Sequence, residues 1–224
     1  MKELTLIIPA KNEEDSLPAV LNEIKNYKIN KILVVNKLNK KIFQIAKNYK
    51  CKILEQSKPG YGNAIIEGLN KCKTKYLCIF NADGSFDPKY LPTMLKKNRK
   101  NYDLIFASRY KKNGGSKDDT IVTYFGNKIF TLIGNILFKL QLSDILFTYV
   151  MAKTDVFRKL KLRSGDFQLC VEIPIKAKIN KLKYTTIPAL ERKRFAGKKN
   201  VNELIDGYLI LSYLITSFLK IKNE

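Results

Sequence analysis

Tyr76-Leu77-Cys78-Ile79-Phe80-Asn81-Ala82-Asp83-Gly84-Ser85-Phe86-Asp87-Pro88 is the stretch from which the fold is read. Tyr76 to Phe80 is a short apolar run with an aromatic at each end, which predicts a buried strand. The run stops at Asn81, Asp83 and Asp87, with Gly84 and Pro88 as turn residues. In an open α/β sheet, ligands lie beyond the carboxyl ends of the strands. This strand would therefore deliver a small cluster of oxygen donors to the place a substrate occupies. An oxygen-only set suits Mg²⁺ or Mn²⁺ bridging to substrate phosphates. The alternative for the same residues is an Asx turn running into a helix N-cap, with no ion.

Outward from that stretch, apolar runs alternate with helical spacing. Leu4 to Pro9, Lys31 to Asn36, Lys52 to Glu55 and Asp103 to Ser108 read as strands. Between them, Leu17, Val20, Leu21 and Ile24 have helical spacing behind Ser16, a plausible N-cap. Ile42, Ile45 and Ala46 mark a second helix. Gly60 and Gly62 open a third, with Ile65, Ile66 and Leu69 as its apolar face, and a further helix runs from Pro88 to about Lys97. The strands are too continuously apolar to be half-exposed, which argues for a mostly parallel sheet covered on both faces and joined by right-handed crossovers. Beyond Arg109 the pattern predicts a polar loop from Lys111 to Asp119 and a long helix from Ile121 to Leu142. A strand at Tyr149 to Ala152 and a helix over 166–180 carrying Glu172 follow. Then come a strand at Lys183 to Ala189, a basic loop at 191–199, and an amphipathic helix from Val201 to Lys220. The fold class is α/β, and we divide the chain into a domain at 1–200 and a C-terminal helix and tail at 201–224.

Composition narrows the chemistry. The 224 residues contain no histidine, which removes the commonest general base, Ser-His nucleophiles and histidine-bound metals together. Four scattered cysteines, Cys51, Cys72, Cys78 and Cys170, form no CxxC pair, so a reduced cytoplasmic protein is expected rather than a zinc or disulfide framework. The N-terminus enters a strand pattern at once, and its apolar run is too short for a signal peptide. The net charge of +22 favours a phosphate-rich partner, although lysine, asparagine and isoleucine are abundant throughout. No basic helix carries interleaved stacking aromatics, so nucleic acid is not the expected partner. No run of about 18 apolar residues is free of charge, so no membrane span is expected. The last helix and the Ile121 to Leu142 segment could instead lie in a membrane interface, or pack as core or dimer helices.

Five separated motifs carry a resemblance over Leu4 to about Leu211: Ile7-Ile8-Pro9-Ala10-Lys11-Asn12-Glu13; Gly60-Tyr61-Gly62-Asn63-Ala64; Asn81 to Pro88; Ala107-Ser108-Arg109-Tyr110 with Gly114-Gly115; and Arg192-Lys193-Arg194-Phe195-Ala196-Gly197-Lys198-Lys199. In this order the chain resembles the inverting glycosyltransferases of family 2, with their Rossmann-like GT-A fold, and among them the polyprenyl- or dolichyl-phosphate sugar synthases. The resemblance implies a UDP- or GDP-sugar donor, and Mg²⁺ or Mn²⁺ held by Asp83 with Asn81. The implied donor-binding set is Pro9, Ala10, Asn12, Glu13, Asn36, Gly60, Gly62, Asn63, Asn81, Ala82, Ser85, Arg192, Arg194 and Lys198. Arg109 would clamp phosphate, the basic loop would close as a lid, and Asp144 would serve a secondary catalytic role. Read from the residues alone, Glu13 also fits compensation of a helix dipole, the glycines a simple turn, Arg109 a surface arginine and 191–199 a solvated charge run.

The chain departs from the family pattern twice. Asn36-Lys37-Leu38-Asn39 stands where relatives have Asp-Asp-Gly-Ser, and Asn81-Ala82-Asp83 where they have Asp-x-Asp. Weaker metal binding, altered donor preference or a non-catalytic nucleotide-sugar-binding protein would follow. The acceptor stays open between two chemistries. A sugar hydroxyl needs a carboxylate base, which with no histidine means Asp144 or Glu172. A lipid phosphate is already an anionic nucleophile and needs positive charge and positioning. The run 89–117, with nine Lys/Arg and one Asp, fits the lipid phosphate, at the inner face of the cell membrane.

Overall fold

The computed structural model describes residues 1–38, 40–197 and 202–223. Its centre is a seven-stranded sheet built from β1 (Leu4–Ala10), β2 (Asn30–Val35), β3 (Lys52–Glu55), β4 (Tyr76–Ile79), β5 (Leu104–Ser108), β7 (Val150–Lys153) and β8 (Tyr184–Pro188). The spatial order is β3-β2-β1-β4-β7-β5-β8. All pairings are parallel except those of β7, which runs antiparallel between β4 and β5. The expected α/β sheet with helices on both faces is what forms. Two apolar clusters, one on each face, bury the strand side chains alternately: Leu4, Leu6 and Ile8 lie in one, and Ile7, Ile32 and Val34 in the other.

The helices are α1 (Leu17–Ile24), α2 (Lys40–Asn48), α3 (Tyr61–Lys71), α4 (Leu91–Lys100), α5 (Ile121–Phe138), α6 (Thr154–Lys159), α7 (Leu169–Ile179) and α8 (Glu203–Asn223). The predicted Ile121 to Leu142 helix stops at Phe138, because Lys139 turns left-handed at φ 52°. That turn sends Leu140 and Leu142 back into the core. Pro174 sits inside α7 without ending it. Ser16 makes no cap bond; its hydroxyl donates to the Ala82 carbonyl at 2.8 Å and ties the first loop to the Asp83 turn. A short pair, β6 (Gly115–Ser116) with β9 (Leu190–Glu191), and the helix α6 carry no signal in the sequence reading.

α8 packs on α5 and α7, burying Ile210 and Leu214 in the second cluster. The boundary between 200 and 201, like Lys198 and Asn39, lies outside the described residues. Although neither α5 nor α8 holds an uncharged run of the length sought, both are long and apolar enough by length and composition to cross a membrane, and only 11% of the apolar 18-residue stretch in each is buried.

Candidate active site

A cleft of about 540 Å³ opens at the carboxyl edge of the sheet. Strand ends supply its floor: Pro9 and Ala10 from β1, Asn36 after β2, Asn81, Ala82 and Asp83 after β4, and Arg109 after β5. Glu13, Gly60 and Arg194 also line it. Asp83 and Arg109, drawn from different strands, therefore face one space. Asn12, Gly62, Asn63, Ser85, Asp144 and Arg192 do not line it; the Asn12 amide donates to Glu13 Oε2 at 2.9 Å, and the others have the tasks that follow.

Ser85 aims Asp83. Its amide and hydroxyl both donate to Asp83 Oδ1, at 2.9 and 2.6 Å, which leaves Oδ2 facing Arg194 Nη1 at 3.4 Å. The turn is capped by the basic loop. Phe195 N donates to the Asp83 carbonyl at 2.8 Å and Arg192 N to the Ser85 carbonyl at 2.9 Å. Gly84 has φ +87°, and a Cβ there would come within 2.5 Å of the Phe195 ring, so only glycine admits this contact. Arg192 is not a phosphate ligand in this arrangement. It forks onto both oxygens of Glu23 at 2.9 and 2.8 Å and donates to the Gly84 and Phe86 carbonyls.

The two glycines of the Gly60-Tyr61-Gly62 turn make room for protein rather than phosphate. A Cβ on Gly60 would sit 2.3 Å from the Gly165 carbonyl, and one on Gly62 2.2 Å from the Ser164 carbonyl. Asn63 belongs to the same contact, its amide donating to the Gly165 carbonyl and its side chain to the Pro59 carbonyl. Glu172, considered above as a base, holds that segment in place. It accepts from the amides of Arg163 and Ser164 at 2.9 and 2.8 Å, pairs with Lys176 and is 1% exposed. It has no access to the cleft. Tyr61 stacks on Phe167 with centroids 5.2 Å apart. Its hydroxyl donates to Asn81 Oδ1 at 3.0 Å, taking one lone pair of the amide oxygen that the sequence offers to a cation. Burial drives the Tyr61 phenol far above its usual value, so it stays a donor.

Arg109 is the largest departure from expectation. It is buried, and Asp144 receives its Nε at 2.8 Å and Nη2 at 3.1 Å as a fork. Its Nη1 lies 3.3 Å from Glu191 and 3.6 Å from Asp119. Burial by itself would lower the guanidinium, but the Asp144 carboxylate outweighs it and holds Arg109 above its ordinary value. An arginine gripped by three carboxylates organises the wall of the cleft; it is not a free phosphate clamp. Asp144, 1% exposed and forked, is equally unfit to act as a base.

Residues that the sequence reading passed over complete the lining: Asp118, Asp119, Asp166, Phe167, Glu191 and Glu203. Seven described lining residues are acidic and three, Lys11, Arg109 and Arg194, are basic, so the cleft is acidic inside a strongly basic protein. Asp118 and Asp119 close the polar loop at 111–119, and Glu191 heads the basic loop. Three carboxylates within runs of lysine and arginine were the available signal. Burial raises the Glu191 carboxyl above its ordinary value, opposed by Arg109 and by the Ser116 hydroxyl at 2.5 Å.

The chemistry of the donor set fits a hard divalent cation. Asp83 presents one pre-aimed carboxylate oxygen, and Asn81 lines the same cleft with an amide oxygen to add; among the described residues no group of three or more carboxylates or cysteines gathers as a metal cluster.

Known proteins share this fold. The family described as Glycosyl transferase family 2 matches residues 5–161. Proteins of Mycobacterium bovis and Mycobacterium tuberculosis, described as uncharacterized glycosyltransferases, are each 32% identical over 107 residues. The match covers 47% of this chain, which spans about half the length (48%) of those relatives. Among solved structures, glucosyl-3-phosphoglycerate synthase from Mycobacterium tuberculosis superposes with a TM-score of 0.74 at 13% identity, covering 95% of this chain and 78% of that one. That structure holds Mn²⁺, UDP and glucosyl-3-phosphoglycerate; another of the same enzyme, at a TM-score of 0.72, holds Mg²⁺ and UDP. At this identity the likeness establishes a shared fold.

Proposed function

Because the chain belongs to glycosyl transferase family 2, we propose that it moves a sugar from a UDP- or GDP-sugar, bound with Mg²⁺ or Mn²⁺, to a polyprenyl or dolichyl phosphate at the cytoplasmic face of a membrane. The displacement is in line and inverts the anomeric centre. Asp83 and Asn81 would hold the ion, which would neutralise charge growing on the leaving diphosphate. Pro9, Ala10, Glu13 and Asn36 would receive the nucleoside. Arg194 would reach the diphosphate, and the wall built on Arg109 would fix the far side of the cleft.

One observation carries the lipid acceptor. Thr123 and Asn127 of α5 and Glu203 and Ile210 of α8 line the cleft, and these two helices present the largest exposed apolar faces of the protein. Ile121, Phe125, Ile129 and Ile136 stand out on one, and Leu204, Ile205, Tyr208 and Leu219 on the other. A prenyl chain lying along them would bring its phosphate to the rim, and the +22 charge would favour anionic headgroups. The test is transfer of labelled sugar from a panel of UDP- and GDP-sugars to polyprenyl phosphate in vesicles. Product appearing only with the lipid acceptor supports the reading; transfer to soluble acceptors alone defeats it. Donor binding with no turnover on any acceptor would indicate a non-catalytic binding protein.

A second reading, transfer to a hydroxyl, is favoured by the acidic lining and by the pairing of Arg109 and Arg194 with carboxylates. Its base would be Glu191 or Asp119, which face the cleft, rather than Asp144 or Glu172, which do not.

A further inference from the structure

We propose that Arg194 is a built-in counter-cation for Asp83, and that guanidinium and divalent ion exchange on that carboxylate as the donor enters. The inference rests on the metal-dependent transfer proposed above and adds the order in which the site fills.

The geometry is specific. Asp83 Oδ1 is committed to Ser85, and its other oxygen, Oδ2, lies 3.4 Å from Arg194 Nη1. The rest of the guanidinium is anchored elsewhere: Nε and Nη2 lie 3.2 and 2.9 Å from Asp118 Oδ2. Both partners are largely shielded, with side-chain exposures of 19% for Arg194 and 12% for Asp83, so their attraction is only partly screened. Asn81, which replaces a second carboxylate, brings no charge. One guanidinium is thus shared between Asp118 and Asp83, and its Nη1 stands at the oxygen an ion would need. A divalent ion arriving alone at the same oxygen meets that guanidinium at close range and is repelled.

The backbone that carries Arg194 need not open for the exchange. Phe195 and Arg192 fasten the loop to the carbonyls of Asp83 and Ser85, and the Phe195 ring lies against Gly84. Rotation about the Arg194 side chain, pivoting on Asp118, swings Nη1 away from Asp83. The diphosphate of the donor supplies the negative charge that receives Nη1, and Asp83 Oδ2 is released to the ion. Ion and donor then bind with positive coupling, each weakly without the other.

The experiment is Mn²⁺ binding followed by the electron paramagnetic resonance of free Mn²⁺, first without nucleotide. Arg194→Gln is expected to bind Mn²⁺ about tenfold more tightly than the natural protein. Arg194→Met, which keeps the aliphatic stem, serves the same comparison if the Gln variant unfolds. Adding Asp83→Asn to either must abolish the gain. With UDP or GDP present, nucleotide should tighten Mn²⁺ binding to the natural protein by a larger factor than to the Arg194 variants. Unchanged or weaker Mn²⁺ binding by both Arg194 variants without nucleotide overturns the proposal. If no nucleotide binds the natural protein, the transferase reading fails, while the nucleotide-free comparison still decides the exchange.

Discussion

Replacing Arg109 by glutamine removes a cation from the centre of three carboxylates. The change breaks the fork onto Asp144 at 2.8 and 3.1 Å, the bond to Glu191 at 3.3 Å and the pairing with Asp119 at 3.6 Å. Deleting one partner of a buried ion pair costs about 3–5 kcal/mol, because the remaining charge stays desolvated. Two effects pull the cost away from the top of that range. Asp144 keeps backbone donors, the amides of residue 109 and Leu146, each at 3.2 Å. Glu191, whose carboxyl is already raised by burial, can take up a proton. We expect a loss of about 4 kcal/mol, a large share of the roughly 5–15 kcal/mol typical of a domain. With a urea slope of about 2–3 kcal/mol per molar, the unfolding midpoint falls by about 1.3–2 M. Arg109→Lys keeps the charge but not the planar fork and recovers only part of the loss. Equilibrium urea unfolding of the three proteins is the assay. A glutamine variant within about 1 kcal/mol of the parent, but with a much higher KM for the donor, would show Arg109 to be a free phosphate clamp and refute the keystone role.

Gly84→Ala should cost about 2 kcal/mol from its positive φ and the displaced Phe195 ring, and it should speed tryptic cleavage at Arg192, Lys193 and Arg194. Limited proteolysis at rates equal to the parent would contradict the docked loop. For Glu191, burial makes the folded protein hold the carboxyl proton more tightly than the unfolded chain does. Its contribution to stability is therefore fullest below the ordinary value of 4.5 and is lost as pH rises through the raised folded value. Glu191→Gln should flatten the decline in urea midpoint from pH 4.5 towards neutrality, and an unaltered profile would count against a buried, proton-holding Glu191. Burial pushes the Cys51 thiol from 9.0 up to about 11. That shift cuts its thiolate fraction about a hundredfold. Native protein at mildly alkaline pH should thus be alkylated slowly by iodoacetamide and rapidly once unfolded in urea; equal rates would dispose of that expectation.

The parallel half of the fold was legible because strands buried on both faces read as unbroken apolar runs, as in Leu4 to Pro9 and Tyr76 to Phe80. Gly60-Tyr61-Gly62 was legible as a helix-opening turn, but not as the seat of another segment: the backbone at 164–165 lies a hundred residues downstream in sequence and leaves no local trace. Separation in sequence also hid two of the partners of Arg109. Asp144 and Glu191 are 35 and 82 residues away, so a residue read as a phosphate ligand proved to be held by acids that only folding brings together. Local chemistry in the sequence placed Asp83 just beyond the end of β4, where the cleft opens. The state of each charged group depends on non-local pairing, which periodicity does not encode. β7 falls in the same class, since its position and direction are set by edges that exist only once β4 and β5 are in place.

That inserted strand bears on how the chain assembles. Tyr76 pairs with Lys153 and Leu104 with Ala152, so the middle of the sheet is completed by residues made long after both of its neighbours. A nascent or truncated chain ending before Val150 would carry two bare apolar strand edges with no bridge between them, the kind of surface that recruits other copies. Closure of the sheet should be a late, slow event limited by chain entropy. A fragment cut at the end of the polar loop near Asp119 should aggregate rather than persist as a smaller folded unit.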